Sequence, residues 1–239
     1  DPNWYNAMLE EYTALLQNET WSLVSPPAGV NMVTGKWIFR HKLNPDDSLA
    51  RYKARWVLRG FTQQHGIDFE ETFSPVVKPS TIQVVLSLAV SSSWPIHQLD
   101  VKNAFLHGHL DTVVYSQQPS GFVDAAHPSH VCRLYRSLYG LKQAPWAWFQ
   151  RFTTYLARLG FVVSKSDNSL FILHRDDATA YLLLYVDDII LTASSASLLH
   201  HVISQLQNEI SNTDLGELHQ ILGIKVTLRY RFKFLSQHQ

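Results

Sequence analysis

Residues 181–195, YLLLYVDDIILTASS, place two adjacent aspartates inside an otherwise apolar segment. We interpret the segment as a strand, a tight turn and a second strand, with Asp187 and Asp188 at the bend. Asp is common in turns for conformational reasons alone, so a purely structural role is one interpretation. The apolar flanks favour another, because two carboxylates about 4 Å apart repel by roughly 4 kcal/mol at an effective dielectric constant near 20. A bound divalent cation would offset that repulsion.

A third carboxylate, Asp100, lies near the end of a short strand predicted at 96–101. A strand-terminal Asp that faces water is the simpler interpretation. If this strand lies beside the predicted hairpin at 180–193, however, three carboxylates meet at one sheet edge. Mg²⁺ prefers such oxygen ligands and binds through one or two carboxylates plus substrate phosphates. Two cations about 3.5–4 Å apart are the arrangement used for in-line phosphoryl displacement.

Basic residues are concentrated in two segments, although the chain has a net charge of zero. Residues 36–60 contain seven Lys or Arg and two acids. On a strand predicted at 51–60, the cations Lys53, Arg55 and Arg59 share one face, opposite Tyr52, Ala54, Trp56 and Leu58. An ordinary solvated face explains this pattern, and so does a cationic strand that binds phosphates.

The second basic segment runs from Ala125 to Ser166, with six Lys or Arg and no acid. Basic groups interleaved with aromatic residues suit a nucleic-acid track, in which bases stack and phosphates pair. The aromatic residues concerned are Tyr135, Tyr139, Trp146, Trp148 and Phe149. The alternative is that they form the core of a helix predicted at 144–159, and for Trp148 and Phe152 we favour that alternative.

The remaining pattern predicts an α+β fold with an antiparallel sheet, because helices and strands mix without a βαβ rhythm. Predicted helices cover 3–17, 80–91, 144–159 and 196–210. Predicted strands cover 36–44 and 51–60 as a hairpin, then 96–101, 112–116, 169–175, 180–186 and 188–193, with two more in 218–235. One cysteine, Cys132, excludes a disulfide framework and a cysteine-based zinc site. We expect an intracellular protein that does not enter a membrane, in the cytoplasm with access to the nucleus.

Several motifs occur together, in the order and with the spacing that are typical of one protein family. They are RYKARWVLRGF, DFEETFSPVVKPSTIQ, QLDVKNAFLHGHL, LYGLKQAP, YVDDIIL and DLGELHQILGIKV. From about Trp4 to about Gln237 the chain resembles the reverse transcriptase domain of copia-type long-terminal-repeat retrotransposons. The resemblance implies one reverse transcriptase domain with fingers (about 1–95, with 130–145) and palm (about 96–130 and 146–239). Most of the thumb, and the ribonuclease H, integrase and protease segments, are expected to lie outside this sequence.

The resemblance also implies RNA-directed DNA polymerase activity on a template-primer of RNA or DNA, with deoxynucleoside triphosphates as substrates. Asp100, Asp187 and Asp188 correspond to the catalytic carboxylates, with Asp188 as the weaker ligand and the Val101 carbonyl as an additional one. Together they would bind two Mg²⁺ ions, for which Mn²⁺ can substitute. The sequence contains no signal for a particular oligomeric state.

The resemblance assigns substrate contacts to two further sets of residues. Lys53 and Arg55 correspond to the clamp on the incoming triphosphate, Phe105 to the aromatic gate against a ribose 2′-OH, and Gln143 to the residue packed beneath the nucleotide. Nucleic-acid contacts are expected from Arg59, Lys142, Tyr185, Leu222 and Gly223.

Departures from the family pattern keep two other functions open. Trp146 stands where an Arg is usual, Lys225 where an acid is usual, and WVL replaces LVA around Trp56. A catalytically inactive remnant that folds and binds nucleic acid is therefore one alternative. A two-metal nuclease is another, but it does not account for Phe105 or the QAP turn.

Overall fold

The computed structural model describes the backbone of residues 1–44, 46–218, 220–221, 224–229 and 232–237, and the side chains of residues 1–44 and 46–218. The helices are α1 (Pro2–Gln17), α2 (Pro79–Ser91), α3 (Ala144–Arg158) and α4 (Ala196–Glu209), with 3-10 turns at Gly60–Thr62 and Ala104–His107. The strands are β1 (Trp21–Val24), β2 (Met32–Val33), β3 (Gly35–Leu43), β4 (Leu49–Leu58), β5 (Ile96–Val101), β6 (His109–Ser116), β7 (Val131–Arg136), β8 (Val162–Val163), β9 (Leu170–Arg175), β10 (Ala178–Tyr185), β11 (Asp188–Ala193), β12 (Asn212–Glu217), β13 (Gln220–Ile221), β14 (Ile224–Arg229) and β15 (Phe232–Gln237). This mixture confirms the predicted α+β class.

The helices follow from local sequence signals. The Asp1 carboxylate accepts a hydrogen bond from the Asn3 amide at 2.8 Å, and Pro2 occupies the first turn of α1, where its missing N–H costs nothing. The apolar stripe predicted for α4 is buried, and it consists of Leu198, Leu199, Val202, Ile203 and Leu206. None of the helices in the described residues combines the length and apolar character that a membrane span requires.

The chain divides into two compact units. The first comprises Asp1–Phe73 and Phe105–Arg151, and the second comprises Ser74–Ala104 and Phe152–Gln239. These bounds differ from the expected fingers and palm, because residues 74–95 group with the second unit and residues 105–130 with the first. The assignment of the names fingers and palm to these units remains a prediction.

In the first unit, the hairpin of β3 and β4 stands beside a sheet with the strand order β1-β7-β6-β2, in which β2 pairs with β6 in parallel. The core is formed by residues such as Leu15, Leu58 and Leu134. Trp56, the bulky departure from the family pattern, lies against Gly35, where an added Cβ would come within 2.2 Å of the indole ring. The absence of a side chain at Gly35 therefore makes room for the indole.

In the second unit, an antiparallel sheet has the strand order β12-β5-β11-β10-β9-β8. Helix α2 packs against one face, where Ile82 and Leu86 join a buried cluster with Ile96 and Ile190. On β10, Leu183 contributes to the same cluster. Strands β13, β14 and β15 form a separate antiparallel sheet, where the sequence pattern predicts two strands in 218–235 rather than three.

Candidate active site

The pairing of β5 with β11 brings Asp100 and Asp188 together. The two residues are direct partners in the antiparallel register, followed by Ile189 with Leu99. Residues directly opposite each other share a face, with Cβ atoms about 4.5–5.5 Å apart. Asp187 precedes Asp188 at the bend, and its carbonyl accepts a hydrogen bond from the Val101 amide at 2.8 Å. The backbone positions of the three predicted carboxylates therefore lie together at one end of β5, and their convergence on a metal ion stays a prediction.

The bend that carries Asp187 has a strained backbone. Tyr185 and Asp188 are paired, so Val186 and Asp187 form a two-residue hairpin loop. Val186 has φ = +55°, a conformation disfavoured for a residue branched at Cβ. Such a conformation costs on the order of 1–3 kcal/mol and persists only where the surrounding structure imposes it. Here both strands of the hairpin are paired, and β5 is bonded to the bend itself.

Burial and like charge act together on Asp188. Burial raises the pKa of its carboxyl, and the negative charges of Asp187 and Asp100 raise it further. One contact opposes them, because the Gln98 side-chain amide donates to Asp188 Oδ1 at 3.1 Å and lowers the pKa. The net pKa is higher than that of an ordinary aspartate. The site therefore has an excess of negative charge that a cation would relieve.

Donor chemistry and geometry give different answers about a metal ion. The available donors are carboxylate and carbonyl oxygens, the ligands that Mg²⁺ and Mn²⁺ prefer. Within the described residues, however, no three His, Cys, Asp or Glu side chains are grouped closely enough to form a finished metal site. The residues thus fit divalent cations by the chemistry of their donor atoms, and the binding of a cation stays a prediction.

The β3–β4 hairpin concentrates positive charge on one face. Its register pairs Arg40 with Lys53 and Lys42 with Arg51. Burial lowers the pKa of the Lys53 ammonium, and the neighbouring cations lower it further, against the opposing effect of Glu11. The predicted alternation is confirmed, because the opposite face of β4 buries Ala54, Trp56 and Leu58.

One residue of the predicted cationic strand lies elsewhere. The sequence pattern predicts Arg59 on the same strand face as Lys53 and Arg55, but β4 ends at Leu58. Arg59 instead precedes the 3-10 turn at Gly60–Thr62, and its amide donates to the Thr34 carbonyl at 2.8 Å. The prediction of a common face was wrong for Arg59, because the chain leaves the strand to form this turn.

The other predicted nucleotide-binding residues lie in the same unit as the hairpin. Phe105 is partly buried, and Gln143 is only 6% exposed. The side-chain Nε2 of Gln143 donates to the Asp68 carbonyl at 2.8 Å, and its Oε1 accepts from Gln63 Nε2 at 3.0 Å. Gln143 therefore has a rigid side chain, and its packing beneath a nucleotide remains a prediction.

The residues predicted to contact nucleic acid lie in different structural environments. Lys142 donates to the Gln63 carbonyl at 3.2 Å, with its ammonium 4.9 Å from the centre of the Phe69 ring. Tyr185 is partly buried against the cluster beneath α2. Leu222 and Gly223 lie outside the described residues.

Of the aromatic residues interleaved with basic residues, Tyr135 is exposed, whereas Trp148 and Phe149 are buried. Phe152 is buried as well, so the favoured core interpretation of Trp148 and Phe152 is confirmed.

A family comparison decides the identity. Residues 18–239 match the model of the family described as reverse transcriptase (RNA-dependent DNA polymerase). The chain belongs to the reverse transcriptase family. It is 50% identical over 94% of its length to the retrovirus-related Pol polyprotein from transposon RE1 of Arabidopsis thaliana. It is 42% identical over 92% of its length to that from transposon TNT 1-94 of Nicotiana tabacum. These relatives confirm the copia-type resemblance.

This reverse transcriptase segment is short beside its relatives. It spans 15% of the RE1 polyprotein and 17% of the TNT 1-94 polyprotein. Among solved structures, a foamy viral protease-reverse transcriptase in complex with double-stranded DNA is similar, with a TM-score of 0.47 and 13% identity over 95% of this chain and 34% of the other.

Sequence reasoning missed three residues of this reverse transcriptase. Gln98 shares a strand face with Asp100, and the two-residue spacing could have revealed it. Glu11 of α1 is buried, and the Trp56 amide donates to its carboxylate at 3.4 Å. Tyr139 was noted only as one aromatic of a basic segment. Glu11 and Tyr139 reach their partners through long-range packing, which no local pattern signals.

Proposed function

We propose that this chain catalyses RNA-directed DNA polymerisation, the transfer of a deoxynucleotide from its triphosphate to a primer 3′-hydroxyl on an RNA or DNA template. The observation that carries the proposal is the register that sets Asp188 opposite Asp100, with Asp187 at the adjoining bend. Family membership supplies the reaction class. The raised pKa of Asp188 supports it as well, because burial and the charges of two neighbouring carboxylates raise it, and a cation would oppose both effects.

In this proposal, Asp100 and Asp187 are the principal ligands of two divalent cations, with Asp188 as a weaker ligand and the Val101 carbonyl as an additional one. Cations bound to such oxygens acidify a hydroxyl and neutralise the charge of a triphosphate. The chain contributes the orientation of the ligands. The paired strands fix the backbone of Asp100 and Asp188, and Gln98 holds one oxygen of Asp188.

Nucleotide binding falls to residues of the first unit. Lys53 and Arg55 bind the triphosphate through charge-assisted hydrogen bonds, Phe105 excludes a ribose 2′-OH, and Gln143 packs beneath the nucleotide. The sugar-phosphate backbone of the template-primer is contacted by Arg59, Lys142, Tyr185, Leu222 and Gly223. These contacts set the register of the nucleic acid without reading its sequence.

Primer extension on poly(rA)/oligo(dT) with Mg²⁺ or Mn²⁺ tests the proposal. Asp187→Asn is expected to reduce the extension rate at least about 1,000-fold. The variant removes a ligand of the cations that would stabilise the negative charge of the transition state. Asp177→Asn is the matched control, since Asp177 lies at another hairpin bend of the same sheet and is exposed. It should extend at the native rate.

Failure of the folded native chain to extend primers would instead support the inactive remnant that only binds nucleic acid. Release of short products from an unprimed strand would point to a nuclease. The gate is tested separately, because Phe105→Ala should admit ribonucleotides, and unchanged discrimination between the two sugars would refute that role.

A further inference from the structure

Tyr139 lies between two of the residues proposed to bind the nucleotide. The guanidinium carbon of Arg55 stands 4.4 Å from the centre of the Tyr139 ring. The ring of Phe105 meets the same ring edge to face, at 4.7 Å between centroids. All three residues belong to the first unit. One aromatic side chain thus contacts both the proposed triphosphate clamp and the proposed sugar gate.

The backbone around Tyr139 is held against the strand that carries Arg55. The Leu58 amide donates to the Tyr139 carbonyl at 2.8 Å, and the Gly60 amide donates to the Gly140 carbonyl at 3.1 Å. Gly140 has φ = +90°, and an added Cβ would come within 2.0 Å of the Leu58 carbonyl oxygen. Only glycine allows this approach. The backbone of Tyr139 is therefore held beside β4.

The backbone of Phe105 is tied to the same segment. Its carbonyl accepts hydrogen bonds from the Ser137 hydroxyl and from the Gly108 amide. The Ser137 amide in turn donates to the Gly108 carbonyl at 2.9 Å. Residues 137–140 consequently connect β4 with the turn that presents Phe105, and Tyr139 is the side chain of this connection that contacts both.

One hydrogen-bond donor of Arg55 is unsatisfied. Its Nε is buried and has no hydrogen-bond partner among the described residues. A buried unsatisfied donor is costly, and a phosphate oxygen would reach it only after the guanidinium turns outward, because Nε has almost no exposed surface. The Tyr139 ring contacts the guanidinium, because a cation over an aromatic face is held by the ring quadrupole, and the Glu11 carboxylate attracts the same guanidinium by its charge.

We propose that Tyr139 is a positioning residue that orients Arg55 for the triphosphate and supports Phe105 against the sugar, so that nucleotide affinity and sugar selection depend on one side chain. This inference rests on the proposed function. It assigns Tyr139 no contact with the nucleotide itself.

The test compares Tyr139→Leu with Tyr139→Phe, which retains the aromatic ring. In Tyr139→Leu, the KM for the deoxynucleotide should rise about 5- to 30-fold, as expected for loss of a partly desolvated cation–π contact. Discrimination against ribonucleotides should fall in the same variant, while kcat changes less than KM. Tyr139→Phe should restore both properties to within about twofold of the native chain.

Tyr5→Leu is a matched control, because Tyr5 is an exposed aromatic of the first unit whose ring stacks on that of Phe122 at 5.9 Å between centroids. It should change neither property. Native KM and native discrimination in a folded Tyr139→Leu would overturn the inference, and so would equal effects of the two leucine variants. Thermal melting of each variant shows whether it is folded.

Equilibrium binding of a deoxynucleoside triphosphate separates this inference from the proposed function. If the native chain extends no primer but binds the triphosphate more tightly than Tyr139→Leu does, the polymerase proposal fails and the role of Tyr139 stands. If the native chain binds no triphosphate, both are refuted. If it extends primers and Tyr139→Leu behaves as native, only the role of Tyr139 is lost.

Discussion

Two hairpin bends of one sheet contain an Asp-Asp pair, and they differ in nearly every other respect. Asp176 and Asp177 connect β9 to β10, and both are exposed. Asp187 and Asp188 lie at the bend between β10 and β11, and both are partly buried. At the first bend the two aspartates form the turn between the strands, and their side chains face water. At the second they lie side by side, partly buried, on an apolar sheet, which a structural role alone does not require.

The two bends also differ in which residue adopts the left-handed backbone. Asp176 has φ = +52°, a conformation that Asp tolerates well, whereas Val186 has φ = +55°, which Val does not. The same dipeptide is therefore relaxed in one loop and part of a strained loop in the other. The comparison shows that the surroundings of the aspartates, more than the aspartates themselves, distinguish a site from a turn.

The largest expected difference between the bends is in catalysis. Asp188→Asn should slow primer extension by about 100- to 1,000-fold, whereas Asp176→Asn should leave it within about twofold of native. In metal-free buffer, the melting temperature of Asp188→Asn should be equal to or above that of the native chain, because a partly buried charge near two others is removed. Equal rates for the two variants would mean that burial does not mark the site.

A third aspartate of the second unit sharpens the comparison, because it is buried for a structural reason. The Asp167 carboxylate accepts hydrogen bonds from the Lys78 amide at 2.9 Å and from the Thr81 hydroxyl at 2.6 Å. It therefore caps the first turn of α2 from a distant part of the chain, since Lys78 provides no side-chain cap. These bonds keep the pKa of Asp167 below its usual value although burial alone would raise it.

Asp167→Ala should lower the free energy of unfolding by about 2–3 kcal/mol, because it leaves buried donors unpaired. Asp177→Ala should change it by less than about 0.5 kcal/mol. Urea denaturation of both variants measures the difference, and Asp167→Asn, which keeps an acceptor oxygen, should lie between them. A loss below that of Asp177→Ala would show that the cap contributes nothing.

The strain at Val186 predicts a gain in stability. Val186→Gly should raise the free energy of unfolding by about 0.5–1.5 kcal/mol, because glycine adopts positive φ without steric cost and Val186 is 42% exposed. Asp176→Gly should change stability by less than about 0.5 kcal/mol. Urea denaturation again provides the measurement. A destabilised Val186→Gly would show that the bend is not strained.

The smallest effect is expected at Glu11, the buried carboxyl of the first unit. Burial raises the pKa of Glu11 above 4.5, against the Trp56 hydrogen bond and the charges of Arg55 and Lys53. The folded chain therefore binds this proton more tightly than the unfolded chain does. The resulting stabilisation is fully present below pH 4.5 and is lost as the pH rises through the folded pKa.

Glu11→Gln should flatten this dependence and stabilise the chain slightly at neutral pH, because a neutral amide needs less solvation and can still accept from Trp56. Thermal melting as a function of pH tests this expectation. A variant whose melting temperature follows the native pH curve would show that Glu11 is not the group responsible.

Most elements of this protein could be predicted because their signals are local. The period of apolar residues specifies α1 and α4, and alternation specifies the β3–β4 hairpin and the strands on either side of Asp187. Strands β1, β2, β7, β8 and β12 were not predicted. They are short, or polar at alternate positions, so their identity depends on the strands with which they pair.

The sequence by itself determined the family, the acidic bend and the cationic strand, because each is written in neighbouring residues. Only the tertiary structure decided that β5 lies between β11 and β12, which places Asp100 opposite Asp188 and Gln98 within reach of it. It also decided that Tyr139 meets both Arg55 and Phe105. The physical reason is that strand pairing and core packing join residues far apart in the chain, and no local period encodes which distant partner is chosen.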